Sequence, residues 1–124
     1  MLKTVFIVDD DPISNLVCET ILKKMLFAEE YHTFENSALA LEKLESLSPD
    51  LVFLDLHMPE IDGWTFLDSL ENHNLSQKPK VILLTASIDP EDQKKAESRT
   101  DLMDIVLKPL SKEYIQELKV RIER

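Results

Sequence analysis

The sequence predicts an α/β fold of three layers, in which helices cover both faces of a doubly wound sheet of five parallel strands. Apolar runs of three or four residues recur without alternation, which is typical of strands buried on both faces of a parallel sheet. Segments of helical periodicity separate these runs, and crossovers of that length favour parallel pairing with right-handed connections. The runs that end on a polar residue are 5–8 before Asp9, 51–54 before Asp55, 81–84 before Thr85, and 105–107 before Lys108.

The first helix is predicted over residues 12–25, where Pro12 suits the first turn because its missing N–H costs nothing there. A short strand is expected at residues 31–34. Asn36 or Ser37 can cap a second helix that ends at residue 47. The apolar residues at helical spacing are Ile13, Leu16, Val17, Ile21 and Met25 in the first helix, and Ala40, Leu44 and Leu47 in the second.

Predicted strands and helices continue to alternate in the second half of the chain. The loop at residues 58–63 holds the only glycine of the protein, Gly63. A sole glycine beside a candidate site indicates a backbone conformation that other residues resist. A third helix follows this loop, and a last helix is expected over residues 111–124. Their apolar residues at helical spacing are Trp64, Leu67 and Leu70, and then Ile115, Leu118 and Ile122.

The sequence of residues 89–99 also predicts a helix, but this helix has no apolar face. Ala96 is almost its only apolar residue, and packing holds a helix that is polar nearly all round only weakly. This segment is therefore a candidate mobile element.

The expected strand order is 2-1-3-4-5, which places the ends of the first and third strands side by side. Ligands of such sheets bind in the crevice outside the carboxyl ends of the strands. We therefore expect the carboxylates of Asp9, Asp10 and Asp55, the Thr85 hydroxyl and the Lys108 ammonium to converge at one edge of the sheet.

Composition excludes several classes of function. The net charge of −10 argues against direct binding to nucleic acid or to an anionic membrane, since both require basic surface. No run reaches transmembrane length, and the N-terminus leads straight into a strand, so neither membrane insertion nor a signal peptide is expected. The lone Cys18 excludes an internal disulfide and fits a reducing compartment. We expect a soluble, cytoplasmic protein.

The converging residues predict phosphate chemistry. Crowded carboxylates repel one another, and Mg²⁺ suits them because it prefers oxygen ligands and is typically held by one or two carboxylates plus a phosphate. Asp55 can act as a nucleophile that forms an aspartyl phosphate. The metal and Lys108 would neutralise charge on the phosphoryl group, and the Thr85 hydroxyl could bond one of its oxygens. Lys108–Pro109 is a candidate cis peptide bond.

With these residues in place, the chain resembles a response-regulator receiver domain of two-component signalling, the CheY-like family with a flavodoxin-like (βα)5 fold. The resemblance covers essentially the whole chain, residues 1–124. Each motif is weak alone, whereas all of them in order at strand ends are specific. The residues that carry it are Asp9-Asp10, Asp55 with Met58-Pro59 and Asp62-Gly63, Thr85-Ala86, and Lys108-Pro109.

The resemblance implies a role for each matching residue. Asp10 binds Mg²⁺ directly, Asp9 helps through water or orientation, and the backbone carbonyl of His57 is a further ligand. Asp55, itself at the metal, is the phosphoacceptor, while Thr85 and Lys108 contact the phosphoryl group. The implied donor is a sensor histidine kinase or a histidine phosphotransfer protein. Output then passes to a downstream protein target that the sequence does not name.

One position departs from the family pattern. Receiver domains usually carry an aromatic residue three positions before the lysine, and this ring swings inward when the threonine moves. Here that position is Ile105, which has no ring and a stiff, branched side chain. The phosphorylation chemistry should survive, whereas the readout is expected to rest on residues 89–99 instead.

Three other functions are less compatible with these residues. A Mg²⁺-dependent phosphatase of the haloacid-dehalogenase type would place its acid pair after the lysine and a second Asp two residues beyond the nucleophile, where this chain has His57. A flavin or nucleotide module would need a phosphate loop rich in Gly, Ser or Thr after the first strand, where this chain has acids. A non-phosphorylated pseudo-receiver that only binds proteins has Ile105 as its sole support.

Overall fold

Strands and helices alternate five times in the computed structural model, which describes residues 1–123. The strands are β1 (Leu2–Val8), β2 (Ala28–Phe34), β3 (Leu51–Asp55), β4 (Lys80–Thr85) and β5 (Asp104–Leu107). The helices are α1 (Pro12–Lys24), α2 (Ser37–Leu47), α3 (Gly63–Leu70), α4 (Pro90–Ser98) and α5 (Lys112–Glu123). Arg124, the last residue of the predicted final helix, lies outside the described residues.

All strand pairs are parallel, and the order is β2-β1-β3-β4-β5, so the predicted fold class and strand order are confirmed. The register aligns the carboxyl ends of the inner strands. Val8 lies opposite Leu54, Asp55 opposite Leu84, and Thr85 opposite Leu107. The residues that follow these strand ends therefore meet at one edge of the sheet.

Side chains of each strand alternate between two apolar layers. Phe6 and Val8 of β1 face α2 and α3, whereas Val5 and Ile7 face α1 and α5. β1, β3 and β4 each contribute apolar residues to both layers, which explains why their sequences are continuous apolar runs. β2 lies at the edge of the sheet and pairs only with β1. It begins at Ala28, three residues before the predicted strand, because the exposed Glu29 and Glu30 interrupt any apolar run there. No helix among residues 1–123 is long and apolar enough to span a membrane.

The orientation of α1 differs from the face that its most apolar residues indicated. Ile13, Leu16 and Val17 are 70%, 64% and 50% exposed, whereas Asn15, Cys18 and Leu22 are buried. The buried residues recur at positions i, i+3 and i+7 and form one face of the helix. A polar residue belongs to this face because the Asn15 Nδ2 donates to the carbonyls of Asp9 (2.9 Å) and Phe34 (3.2 Å).

Gly63 does not have the unusual backbone conformation that the sequence indicated, so that prediction was wrong. No glycine among the described residues has a positive φ, and the left-handed residue of this loop is Glu60, with φ 68°. Gly63 is required by close approach instead. A Cβ on Gly63 would lie 2.8 Å from the Leu83 Cδ2 atom and 3.1 Å from the Leu56 Cα atom. The first residue of α3 therefore packs with its backbone directly against the core.

Gly63→Ala is expected to lower the free energy of unfolding by about 1–3 kcal/mol, since overpacking a well-packed core has this effect. The buried Leu83 side chain and the Leu56 backbone leave no room for the added methyl group. Urea unfolding measures the change. Thr65→Ala, on the exposed side of the same helix, is the matched control and should shift stability by less than about 0.5 kcal/mol. Equal effects of the two substitutions would contradict the packing argument.

Candidate functional site

Three carboxylates meet at the carboxyl edge of the sheet. Asp9 and Asp10 follow β1, Asp55 ends the neighbouring β3, and one carboxylate oxygen of each lies within 4.8 Å of the other two. Asp9 and Asp55 are only 4% and 7% exposed, whereas Asp10 is open to solvent. The cluster therefore has a buried floor and an exposed rim.

Asp9 is fixed by its own loop. Its Oδ1 atom accepts from the backbone N–H of Asp11 (2.9 Å), and its carbonyl accepts from the Asn15 side chain. Asp11 in turn caps α1, since its carboxylate accepts from the Ile13 N–H (2.9 Å). These hydrogen bonds of Asp9 and Asp11 together fix the conformation of the loop between β1 and α1. Sequence reasoning missed Asn15, because an amide inside an apolar helical pattern carries no signal of its partners.

Lys108 approaches the cluster from the end of β5. Its Nζ atom lies 2.6 Å from Asp9 Oδ2 and 3.4 Å from Asp55 Oδ1. The Lys108 N–H donates to the Thr85 carbonyl (2.8 Å), and the Lys108–Pro109 peptide bond is cis. Burial by itself lowers the pKa of Lys108, but the hydrogen bond to Asp9 and the charge of Asp55 outweigh it and leave that pKa above its usual value. The ammonium therefore stays charged between two carboxylates.

Burial raises the pKa of the Asp55 carboxyl, and the negative charges of Asp9 and Asp10 raise it further. Lys108 opposes these effects through its charge and its hydrogen bond, yet the net shift is upward. In the metal-free protein the nucleophile candidate is thus held in surroundings that disfavour its charged form.

Thr85 is the last residue of β4, and Ile105 lies on the adjacent strand β5. Thr85 is fully buried, and its hydroxyl donates to the Ser87 carbonyl (2.8 Å) and accepts from the Ser87 N–H (3.3 Å). The hydroxyl thus engages the loop that leads into α4. Ile105 is half-buried and packs against the apolar layer of α2 and α3.

The His57 side chain is exposed and lies beside α4. It is 62% exposed, and its Nε2 atom lies 3.7 Å from the Oδ2 atom of Asp92 on α4. Asp92 is only 7% exposed and was not predicted as a site residue, because nothing in the spacing of a polar helix marks which acid is buried.

The carboxylate cluster fits a hard divalent cation. Two oxygen atoms that share one Mg²⁺ lie at most about 4.2 Å apart, given metal–oxygen distances of about 2.1 Å. The three aspartate oxygens lie within 4.8 Å of one another, so small side-chain movements would bring them to that spacing. Three carboxylates share this corner with the single ammonium of Lys108, so negative charge is in excess there. A cation there would relieve the repulsion.

Asp55→Asn is expected to raise the free energy of unfolding of the metal-free protein at neutral pH. The folded protein binds the Asp55 proton more tightly than the unfolded chain does, so stability falls as pH rises from the unfolded-state pKa through the folded-state pKa. Above the folded-state pKa of Asp55, the ionised carboxylate destabilises the folded protein to its full extent. An uncharged asparagine at position 55 has no such effect. Urea unfolding in chelator measures this. A lower free energy of unfolding for the variant at neutral pH would contradict it.

The model of the response regulator receiver domain family matches residues 5–119. The chain is 36% identical to chemotaxis protein CheY of Bacillus subtilis over 86 residues, which cover 69% of each protein. It is 34% identical over 107 residues to protein-glutamate methylesterase/protein-glutamine glutaminase 3 of Leptospira interrogans, where the match covers 85% of this chain and spans only 30% of the relative.

Solved structures share the fold over nearly the whole chain. A two-component response regulator from Cytophaga hutchinsonii superposes with a TM-score of 0.88 at 31% identity, covering 98% of this chain and 97% of that one. Chemotaxis protein CheY4 of Vibrio cholerae superposes with a TM-score of 0.82 over 98% of this chain and 99% of that one, at 20% identity, and supports the fold alone.

Proposed function

The chain belongs to the response regulator receiver domain family of two-component signalling, and we propose that Asp55 is the phosphoacceptor of a Mg²⁺-dependent switch. One observation carries this proposal. The Asp9, Asp10 and Asp55 carboxylates and the Lys108 ammonium, from residues far apart in the chain, converge within a few ångströms at the carboxyl edge of the sheet. We further propose that residues 1–124 act as one receiver domain.

The reaction is a transfer of one phosphoryl group. An Asp55 carboxylate oxygen attacks the phosphorus of the donor, a P–O bond to the aspartate forms, and the P–N bond of a phosphohistidine breaks. The leaving imidazole takes up a proton. The transferring group spreads negative charge over its oxygens, so positioning and charge neutralisation carry the catalysis. Mg²⁺, when bound, supplies positive charge that neutralises the phosphoryl oxygens and the crowded carboxylates.

The chain's own residues prepare this transfer. Asp10 at the exposed rim, the Asp9 and Asp55 carboxylates and the His57 carbonyl would hold the metal, while the loop fixed by Asn15 keeps Asp9 in place. Lys108 would leave its Asp9 contact and pair with a phosphoryl oxygen on Asp55. The Thr85 hydroxyl would exchange its bond to Ser87 for one to the phosphoryl group.

Receiver domains interact with histidine kinases, phosphotransfer proteins and downstream targets. We propose that a sensor histidine kinase or a histidine phosphotransfer protein supplies the phosphoryl group here. The phosphorylated form then changes affinity for a protein target by shifting a two-state equilibrium. The domain acts as a regulator that catalyses only its own phosphorylation and dephosphorylation.

Phosphoramidate is a suitable donor for the test because its P–N bond mimics that of phosphohistidine. After incubation with phosphoramidate and Mg²⁺, intact-protein mass spectrometry should show a gain of one phosphoryl group. The gain should disappear with chelator and after hydroxylamine treatment. If the mass of the protein does not change with phosphoramidate or with acetyl phosphate, the proposal that this domain becomes phosphorylated is wrong.

A further inference from the structure

α4 is attached to the domain without an apolar face. Along the whole helix only Asp92 is buried and only Ala96 is half-buried, while its other residues are exposed. Burial of apolar side chains holds most helices to their domains. The position of α4 must therefore depend on a small number of polar contacts.

At its C-terminal end, α4 is anchored by Arg99. The guanidinium forms two parallel hydrogen bonds to Asp101 (2.9 and 2.8 Å) and a third to Asp68 of α3 (2.8 Å). Bidentate arginine–carboxylate pairs of this kind have defined geometry as well as strength. This end of the helix is fixed to α3 and to the turn before β5.

At its N-terminal end, the helix depends on Asp92. Asp89 caps the helix by accepting from the Asp92 N–H (2.9 Å), and the Asp92 side chain turns into the domain. Its Oδ1 atom accepts from Trp64 Nε1 at 3.4 Å, and its Oδ2 atom lies 3.7 Å from His57 Nε2. Among residues 1–123 nothing donates a hydrogen bond to Oδ2. These contacts are long, so a small displacement of either partner strengthens or breaks them.

Both partners of Asp92 lie in the segment that follows Asp55. His57 is two residues beyond the phosphoacceptor candidate, and Trp64 is in the first turn of α3, where it also lies beside Lys95 of α4 (5.7 Å from ring centroid to Nζ). The buried Asp92 carboxylate therefore connects the weakly packed helix α4 to the segment that follows Asp55.

We propose that Asp92 is the positioning residue that couples the state of Asp55 to α4, through His57 and Trp64. The proposal rests on the proposed function and names the route of its readout. Ile105 offers no ring to carry the signal from Thr85, whereas the Asp92 contacts join the site segment to α4 directly. Because coupling is reciprocal, the position of α4 also sets the ease with which Asp55 binds a phosphoryl group.

The test compares two carboxylates of the same helical turn. Asp92→Asn removes the buried charge, and Glu91→Gln removes an exposed one at the adjacent position as the matched control. Hydrogen exchange of the amides of residues 90–98 is measured with and without Mg²⁺ and beryllofluoride, a stand-in for the aspartyl phosphate. Fluorine NMR measures beryllofluoride binding independently.

Without ligand, Asp92→Asn should speed exchange in α4 by up to about tenfold, because a neutral amide accepts the Trp64 N–H roughly half as strongly as a carboxylate and no longer attracts His57. Glu91→Gln should leave exchange unchanged. Beryllofluoride should change α4 exchange in the unsubstituted protein and in Glu91→Gln. It should bind Asp92→Asn without that change. Trp64→Phe, which keeps an aromatic ring but loses the donor, should behave like Asp92→Asn and serves as the second variant if Asp92→Asn does not fold.

Two results overturn the proposal, and they are distinguishable. If Asp92→Asn and Trp64→Phe bind beryllofluoride and change α4 exchange as the unsubstituted protein does, the coupling does not run through Asp92, and the proposed function stands. If beryllofluoride fails to bind the unsubstituted protein, the proposed function fails and the coupling falls with it.

Discussion

Asp55→Asn is expected to abolish phosphorylation by acetyl phosphate or phosphoramidate. The amide has nearly the shape of the carboxylate but offers no anionic oxygen to attack phosphorus. It also withdraws one of the three carboxylates that would hold Mg²⁺. Intact-protein mass spectrometry should show the phosphoryl gain in the unsubstituted protein and none in the variant.

The matched control for this loss is Asp62→Asn, in the loop after β3. The Asp62 side chain caps α3 by accepting from the Thr65 N–H (2.9 Å), and asparagine caps a helix about equally well. This control should phosphorylate as the unsubstituted protein does. Phosphorylation of Asp55→Asn at an undiminished rate would refute the assignment of the phosphoacceptor.

Asp10→Ala is expected to weaken Mg²⁺ binding and slow phosphorylation severely. Asp10 is the exposed carboxylate of the cluster, while Lys108 already lies against Asp9 and Asp55. The Mg²⁺ concentration that gives half-maximal phosphorylation should rise at least about tenfold, since even indirect partners of a metal typically contribute that much. Saturating Mg²⁺ should restore part of the rate.

Glu35→Ala controls for the loss of one negative charge near this edge of the sheet. Glu35 follows the end of β2 and is exposed, so its removal alters the surrounding field without removing a cluster ligand. The dependence of phosphorylation on Mg²⁺ concentration should stay within about twofold of the unsubstituted protein, because salt screens the interactions of solvent-exposed charges. Equal effects of Asp10→Ala and Glu35→Ala would show that Asp10 acts only through bulk charge.

The fold was predictable because the inner strands are buried on both faces. That burial forces continuous apolar runs at β1, β3 and β4, and helical crossovers between such runs leave few topologies. The start of β2 was not predictable, since an edge strand with exposed Glu29 and Glu30 has no apolar run. The face of α1 was also missed, because Asn15 is buried through bonds to backbone carbonyls that no periodicity reveals.

The convergence of the site residues followed from topology alone. Once the strand order is fixed, residues after the ends of β1, β3, β4 and β5 must share an edge. Contacts that helices make with loops or with other helices could not be predicted in this way, because strand order does not determine them. Asp92 is one acid among several in a polar helix, and only packing of α4 against His57 and Trp64 distinguishes it. Likewise, the need for Gly63 depends on the close approach of Leu56 and Leu83, which the spacing of apolar residues does not reveal.

The most direct test of the central claim is to locate the phosphoryl group on the chain. After phosphorylation by phosphoramidate and Mg²⁺, borohydride reduces an aspartyl phosphate to homoserine, and peptide sequencing by mass spectrometry then identifies the residue. We predict homoserine at position 55 and nowhere else, with none formed in chelator. Homoserine at another aspartate, or a phosphoryl group on the neighbouring His57, would contradict the account.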